Sequence, residues 1–188
     1  LHNQNEDRLT GMLHNLQLHN RKEDNVKLIF IPCYLDGKDG IVDKSYYDTL
    51  IGFDLTVYPS YYEPWGYTPL ESIAFHIPTV STNLAGFGLW INSLGMGSSI
   101  DDGTAIVRRS DYNYFEAAEN ITEIVLSFSR KDEKETKEIR RKAKDTAEKA
   151  LWKNFILQYY EAYDIALRRA AERMKALEEE LPDETHES

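Results

Sequence analysis

The run from Val57 to Gly88, VYPSYYEPWGYTPLESIAFHIPTVSTNLAGFG, constrains this chain more than any other stretch. It carries two carboxylates, Glu63 and Glu71, in an E-x7-E spacing. Between them lie the turn residues Pro64-Trp65-Gly66 and then Thr68-Pro69, a pair that favours a helix start. The arrangement predicts Glu63 on a loop at the C-terminal end of a strand and Glu71 about one turn inside the following helix. A second strand is predicted over Thr79 to Thr82, entered through Pro78, followed by a glycine-bearing loop from Asn83 to Gly88. Strand, loop, helix and strand in this order argue for an α/β fold with a parallel sheet.

The flanking sequence extends that reading. Leu9, Met12, Leu13 and Leu16 follow helical spacing and predict a helix over 6–20. Val26 to Pro32, VKLIFIP, is nearly all apolar and reads as a strand buried on both faces. Lys44 to Phe53 reads as a short helix and Asp54 to Tyr58 as the next strand, with another short strand over Ala105 to Val107. Residues 89–103 show little periodicity. A helix is predicted over 113–129, with Phe115, Ala118, Ile121, Ile124, Val125 and Phe128 on one side, and a charged helix over 131–149. Trp152, Ile156, Tyr159, Tyr163 and Ala166 form a helical stripe that reads as a packing face. The tail 178–188 is acidic and reads as disordered.

Charge and cysteine content exclude several classes. Lys and Arg number 22 against 32 Asp and Glu, a net charge of −10, which disfavours a nucleic-acid partner. The lone Cys33 permits no internal disulfide, and a cytoplasmic chain is the expectation. Its apolar neighbours suggest a buried structural thiol. No apolar run reaches membrane-spanning length, so no membrane partner is expected. The five histidines show no metal-ligand spacing and no DxD pair is present, so no metal or other cofactor is expected.

The motif itself points to chemistry. The N–H groups of Gly66, Tyr67 and Thr68 fall at a helix N-terminus, where phosphate oxygens are favoured. Thr68 also reads as an ordinary N-cap before Pro69. Glu63 alone could be a solvated loop carboxylate, and Glu71 a first-turn residue complementing the helix dipole. Together they supply a carboxylate for a sugar, an anion cradle for a diphosphate and a second carboxylate for a ribose.

The strings PSYYEPWGYTP and STNLAGFG resemble the retaining GT-B glycosyltransferases, and among them family 3, the UDP-glucose-dependent glycogen synthases. The resemblance runs from about His2-Asn3 to Arg169 and is dense over 57–88. It implies a partial C-terminal Rossmann-like domain, a hexosyltransferase activity and the substrates UDP-glucose and an α-1,4-glucan, whose non-reducing end receives glucose with retention. It implies Glu63 at the donor glucose, where it stabilises an oxocarbenium-like transition state. It implies Glu71 at the ribose hydroxyls, the amides of Gly66, Tyr67 and Thr68 at the diphosphate, and Tyr46 stacked on the uracil. Asn83, Gly86 and Gly88 belong to the loop that the family writes TNLSGFG, here with Ala85 in place of serine, and they shape the cleft.

The chain departs from the family in three places. The family's diphosphate-neutralising Arg and Lys precede the segment matched by Leu1-His2-Asn3, so they and the N-terminal domain are expected to lie outside this chain. Ile31-Pro32 stands where the family has His-Pro. On the helix before Trp152, Arg140, Arg141 and Lys142 remain, but Thr136 and Asp145 replace arginines of a glucose 6-phosphate site, so weak response to that effector is expected.

The domain organisation expected is therefore an incomplete donor-binding domain over 1–110, helices over 111–177 that reach toward the absent N-terminal domain, and the tail 178–188. Isolated, such a chain is expected to be inactive, and its exposed stripe could support a homo-oligomer. The alternatives are an ADP-glucose-dependent starch or glycogen synthase and a non-catalytic nucleotide-binding half domain.

Overall fold

A computed structural model describes residues 7–180. The segment matched by His2-Asn3 and the tail beyond Glu180 lie outside the described residues. The chain divides into two compact units, one ending at Phe53 and one beginning at Asp54.

The first unit holds two short helices, α1 (Arg8–Asn15) and α2 (Tyr46–Leu50). Asp7 caps α1 by accepting from the N–H groups of Leu9 and Thr10. The helix is shorter than the predicted 6–20, because Gln17 and Asn20 take positive φ of 57° and 58° and turn the chain out of the helical region. The predicted strand over Val26 to Pro32 does not form. A doubly buried strand needs a ladder partner and a covered face; neither meets this run, and Ile29 stays 72% exposed. The same outcome overturns the buried-thiol expectation, because Cys33 at the end of the run is exposed.

The second unit contains the predicted α/β core. A three-stranded parallel sheet has the order β1 (Thr56–Val57), β2 (Thr79–Thr82), β3 (Thr104–Val107). Thr56 pairs with Thr79, and Thr79 in turn pairs with Thr104. Helix α3 (Tyr67–Ala74) crosses from β1 to β2, and α4 (Gly86–Ser93) leads from β2 toward β3. The sequence is hydroxyl-rich where the sheet is most buried, and the hydroxyls of Thr56, Ser72 and Thr79 form a chain of hydrogen bonds. Thr56 Oγ1 shares hydrogen bonds with Ser72 Oγ at 2.7 Å and Thr79 Oγ1 at 2.8 Å, tying α3 to β1 and β2. Ile73, Phe87 and Ile91 complete the seat with no exposed surface, each burial worth roughly 1.5–3 kcal/mol.

Residues 86–93 are helical, where a loop and then an aperiodic stretch were expected, and Ile100–Asp102 forms a 3-10 turn. Helical glycines disguised α4. Gly86 and Gly88 are required by contact rather than by turning: a Cβ on Gly88 would stand 2.0 Å from the Thr82 carbonyl oxygen.

Three helices follow, α5 (Tyr114–Ser129), α6 (Glu133–Lys149) and α7 (Trp152–Glu180). The buried face of α5 is Ala117 and Phe128, flanked by half-buried Ile121 and Ile124; Phe115, Ala118 and Val125 are exposed, against expectation. The i, i+4, i+7, i+11 set, one residue away at its start, is the one that meets β3. Helix α6 opens with a capping box, Asp132 with Glu135, and buries Ile139, Ala143 and Thr146. On α7 the stripe residues Trp152, Tyr159 and Tyr163 are exposed and Ile156 is half-buried, while Phe155 packs its ring against Trp65 and Trp90. Among the described residues no helix is long and apolar enough to cross a membrane.

Candidate functional site

The site residues of the second unit gather at the C-terminal edge of the parallel sheet, the edge where ligands collect in such folds. Beyond β1 the chain stays close to β2: Glu63 N donates to Leu84 O at 3.2 Å, and Glu63 forms a parallel bridge with Ala85. Glu63 thus sits on the strand-exit loop as predicted. Its side chain is half-buried and fixed by Ser60, whose Oγ donates to Oε2 at 3.0 Å. Ser60 is fixed in turn, since Thr82 Oγ1 donates to its carbonyl at 2.6 Å. Both hydroxyls escaped the sequence reading; the S-x-x-E spacing of Ser60 and Glu63 was the available signal.

Helix α3 is capped at Gly66, not at Thr68. Gly66 is the N-cap, with φ 112° and ψ 74°, a conformation that excludes most side chains. Thr68 is therefore the second helical residue and Pro69 the third, so the reading of Thr68 as N-cap is overturned. The left-handed cap turns the chain sharply enough that the helix starts two residues early. No side chain caps this helix. Among the described residues no protein acceptor meets the N–H groups of Gly66, Tyr67 and Thr68. Tyr67 is exposed, and Glu71 lies half-buried just over one turn into the helix. The open helix start therefore has Glu63 before it and Glu71 after it.

The loop from Asn83 to Gly88 plays a different part. Gly86 N donates to Glu63 O at 3.1 Å and Phe87 N to Trp65 O at 2.6 Å. The start of α4 is thus consumed by the Glu63 loop. Asn83 Oδ1 accepts from Arg109 N at 2.5 Å, joining the exits of β2 and β3. Gly86 allows the contact, since a Cβ there would lie 2.3 Å from Pro64 O.

Trp65 points the other way, into rings of Trp90 and Phe155 at centroid distances of 5.9 and 5.7 Å. Beside them a cavity of 680 Å³ is lined by Trp65, Tyr67, Trp90, Trp152, Phe155 and Tyr159 among others. No charged side chain lines it, so the anion-favouring element of this region is the helix start, not the cavity. Tyr46 belongs to the first unit. It is the first residue of α2, half-buried, behind the N-cap Ser45, with its ring 5.2 Å from that of Tyr47. Among the described residues no group of three His, Cys, Asp or Glu side chains could hold a metal ion.

The glycogen synthase family model matches residues 1–187. The chain belongs to the glycogen synthase family. It is 33% identical over 168 residues to the glycogen [starch] synthase of Neurospora crassa, covering 89% of this chain and 24% of that protein. It is 33% identical over 164 residues to glycogen [starch] synthase isoform 2 of Saccharomyces cerevisiae, covering 87% and 23%. The Caenorhabditis elegans glycogen [starch] synthase is 30% identical over 168 residues, with 87% and 24% covered. The chain thus spans about a quarter of the length of the curated relatives it matches. Family membership agrees with the parallel α/β core, which is that of a partial Rossmann-like domain.

Proposed function

We propose that this chain is the donor-binding part of a glycogen synthase that transfers glucose from UDP-glucose, with retention, to the non-reducing end of an α-1,4-glucan. The observation that carries the reading is the open start of α3, held between Glu63 and Glu71. Three N–H groups and a helix dipole converge there without a protein acceptor, which suits a diphosphate. Glu63 is held by one hydrogen bond from Ser60, leaving carboxylate lone pairs for sugar hydroxyls or for positive charge that develops as the bond to the leaving group breaks. Glu71 supplies a two-oxygen acceptor for ribose hydroxyls, and Tyr46 supplies a ring for the base. The domain division at about 110 and the helical extension toward a separate acceptor domain belong to the same reading, as does a cytoplasmic setting. No metal enters this reading: the helix start favours the diphosphate charge.

The reading also bears on regulation. Arg140 pairs with Asp54 at 2.9 Å, and Arg141 with Glu138 and Asp145 at 2.6 and 2.5 Å. Cations already paired within the fold are poor candidates for a sugar phosphate, which supports weak glucose 6-phosphate response.

Calorimetric titration of UDP, UDP-glucose and ADP-glucose into this chain tests the reading. Uridine nucleotides are expected to bind, and Glu71→Ala and Tyr46→Ala to weaken them at least tenfold, on the order of 1.4 kcal/mol. Stronger binding of ADP-glucose would move the chain to the ADP-glucose-dependent synthases. No binding by the folded chain would sink the donor-site reading.

A further inference from the structure

The loop that carries Glu63 is gripped from the exit of β3. There the chain folds into a tight turn: Asn113 Oδ1 accepts from Ser110 N at 2.7 Å, and Asn113 Nδ2 donates to Arg108 O at 2.9 Å. The turn directs Arg109 back across the sheet edge. Its guanidinium donates to the Pro59 carbonyl and lies 5.1 Å from the centroid of the Tyr61 ring. The Tyr61 hydroxyl donates to Asp111 in the same turn. The backbone N–H of Arg109 meanwhile donates to Asn83 Oδ1. One residue therefore joins the exits of all three strands.

The contacts converge on Glu63. Pro59 precedes Ser60, and Ser60 is the residue whose hydroxyl holds the Glu63 carboxylate. We infer that Arg109 is a positioning residue for Glu63, acting through Pro59, Ser60 and Tyr61. The inference rests on the reading of Glu63 as the carboxylate at the donor sugar. A planar guanidinium is pre-organised to donate to a carbonyl and stack on an aromatic ring at the same time; an ammonium, a compact and strongly hydrated charge on a flexible stem, holds both contacts less well. Lysine at this position keeps the charge and loses the grip.

Amide hydrogen exchange of the free chain tests the grip. Ser60 N and Glu63 N are both hydrogen-bonded, so their exchange reports loop opening. Exchange at both amides is expected to rise at least tenfold in Arg109→Ala and Arg109→Lys and less in Tyr61→Phe, with β2 and β3 unchanged. Arg108→Ala is the control and leaves the loop unchanged. Unchanged loop exchange in Arg109→Ala, or equal acceleration throughout β2 and β3, overturns the inference. Titration then separates positioning from anchoring. The ratio of UDP-glucose to UDP affinity is expected to fall at least threefold in both Glu63→Gln and Arg109→Ala, with UDP affinity kept. A fall in Glu63→Gln alone overturns the inference about Arg109. An unchanged ratio in Glu63→Gln, or no nucleotide binding at all, overturns the functional reading, and with it any role for Arg109 beyond holding the loop.

Discussion

Helices α3 and α4 are both eight residues long, both lack a side-chain cap, and both begin at the C-terminal edge of the same sheet. Their N-termini nevertheless differ. At α4 the N–H groups of Gly86 and Phe87 are taken by the carbonyls of Glu63 and Trp65. At α3 the left-handed Gly66 swings the loop away, and no protein acceptor among the described residues reaches the first N–H groups. The dipole is the same in both; what differs is whether the chain itself supplies acceptors to the first N–H groups. The start of α4 is a structural joint, and the start of α3 is left open by the chain.

Closing contacts can be broken by a single methyl group. Gly88→Ala and Gly86→Ala place a Cβ 2.0 and 2.3 Å from backbone carbonyl oxygens that cannot swing aside. Each is expected to destabilise the chain by about 3 kcal/mol or more, read as a lower denaturant midpoint at constant slope. Gly66→Ala meets side-chain atoms, Pro69 Cγ at 3.1 Å, Phe87 Cβ at 3.2 Å and Glu63 Oε2 at 3.5 Å, but must hold φ at 112°. Its cost is expected at about 1–3 kcal/mol. A larger cost at Gly66 than at Gly86 would reverse the assignment of joint and open start.

The seat of α3 is the next test. Ser72→Ala leaves the buried Thr56 hydroxyl with one partner fewer and is expected to cost about 1–2 kcal/mol. By contrast the buried hydroxyl of Thr104, on the strand that α4 packs against, has no hydrogen-bond partner among the described residues. Thr104→Val is expected to be neutral or to stabilise by up to about 1 kcal/mol. Equal losses at the two positions would mean that the hydroxyl chain under α3 contributes nothing specific.

The contrast between the two helices also marks what sequence could reveal. E-x7-E with its proline and glycine punctuation located the exit loop and the carboxylates, because turn chemistry is local. Helix α4 stayed hidden, because Gly86 and Gly88 signal a loop unless the approaching Pro64 and Thr82 carbonyls are known. Distance in sequence hid Arg109 as well: its grip on Pro59 spans fifty residues. VKLIFIP misled in the opposite sense, since apolar composition prescribes burial but cannot supply the neighbouring strand. TVST, with three hydroxyl residues in four, is the fully buried centre of the sheet because its backbone is paired on both sides and the Thr79 and Thr82 hydroxyls find partners; among the described residues the Ser81 hydroxyl finds none.

The smallest expected effect lies on α6, the helix that backs α3. Arg141 bonds the Glu138 carboxylate and holds its pKa below the ordinary value of about 4.5. A carboxyl whose folded pKa is depressed contributes stability above its unfolded value and loses it as pH falls through the folded one. Glu138→Gln is therefore expected to lower the melting temperature on the order of one degree at pH 7, and by nothing once pH is well below 4. Both side chains are exposed, so about 1 M salt should erase most of the difference at pH 7 as well. A difference that survives both acid and salt would show that Glu138 acts through packing of α6 against α3, and the partner helix would then have to be counted among the elements that hold the start of α3 in place.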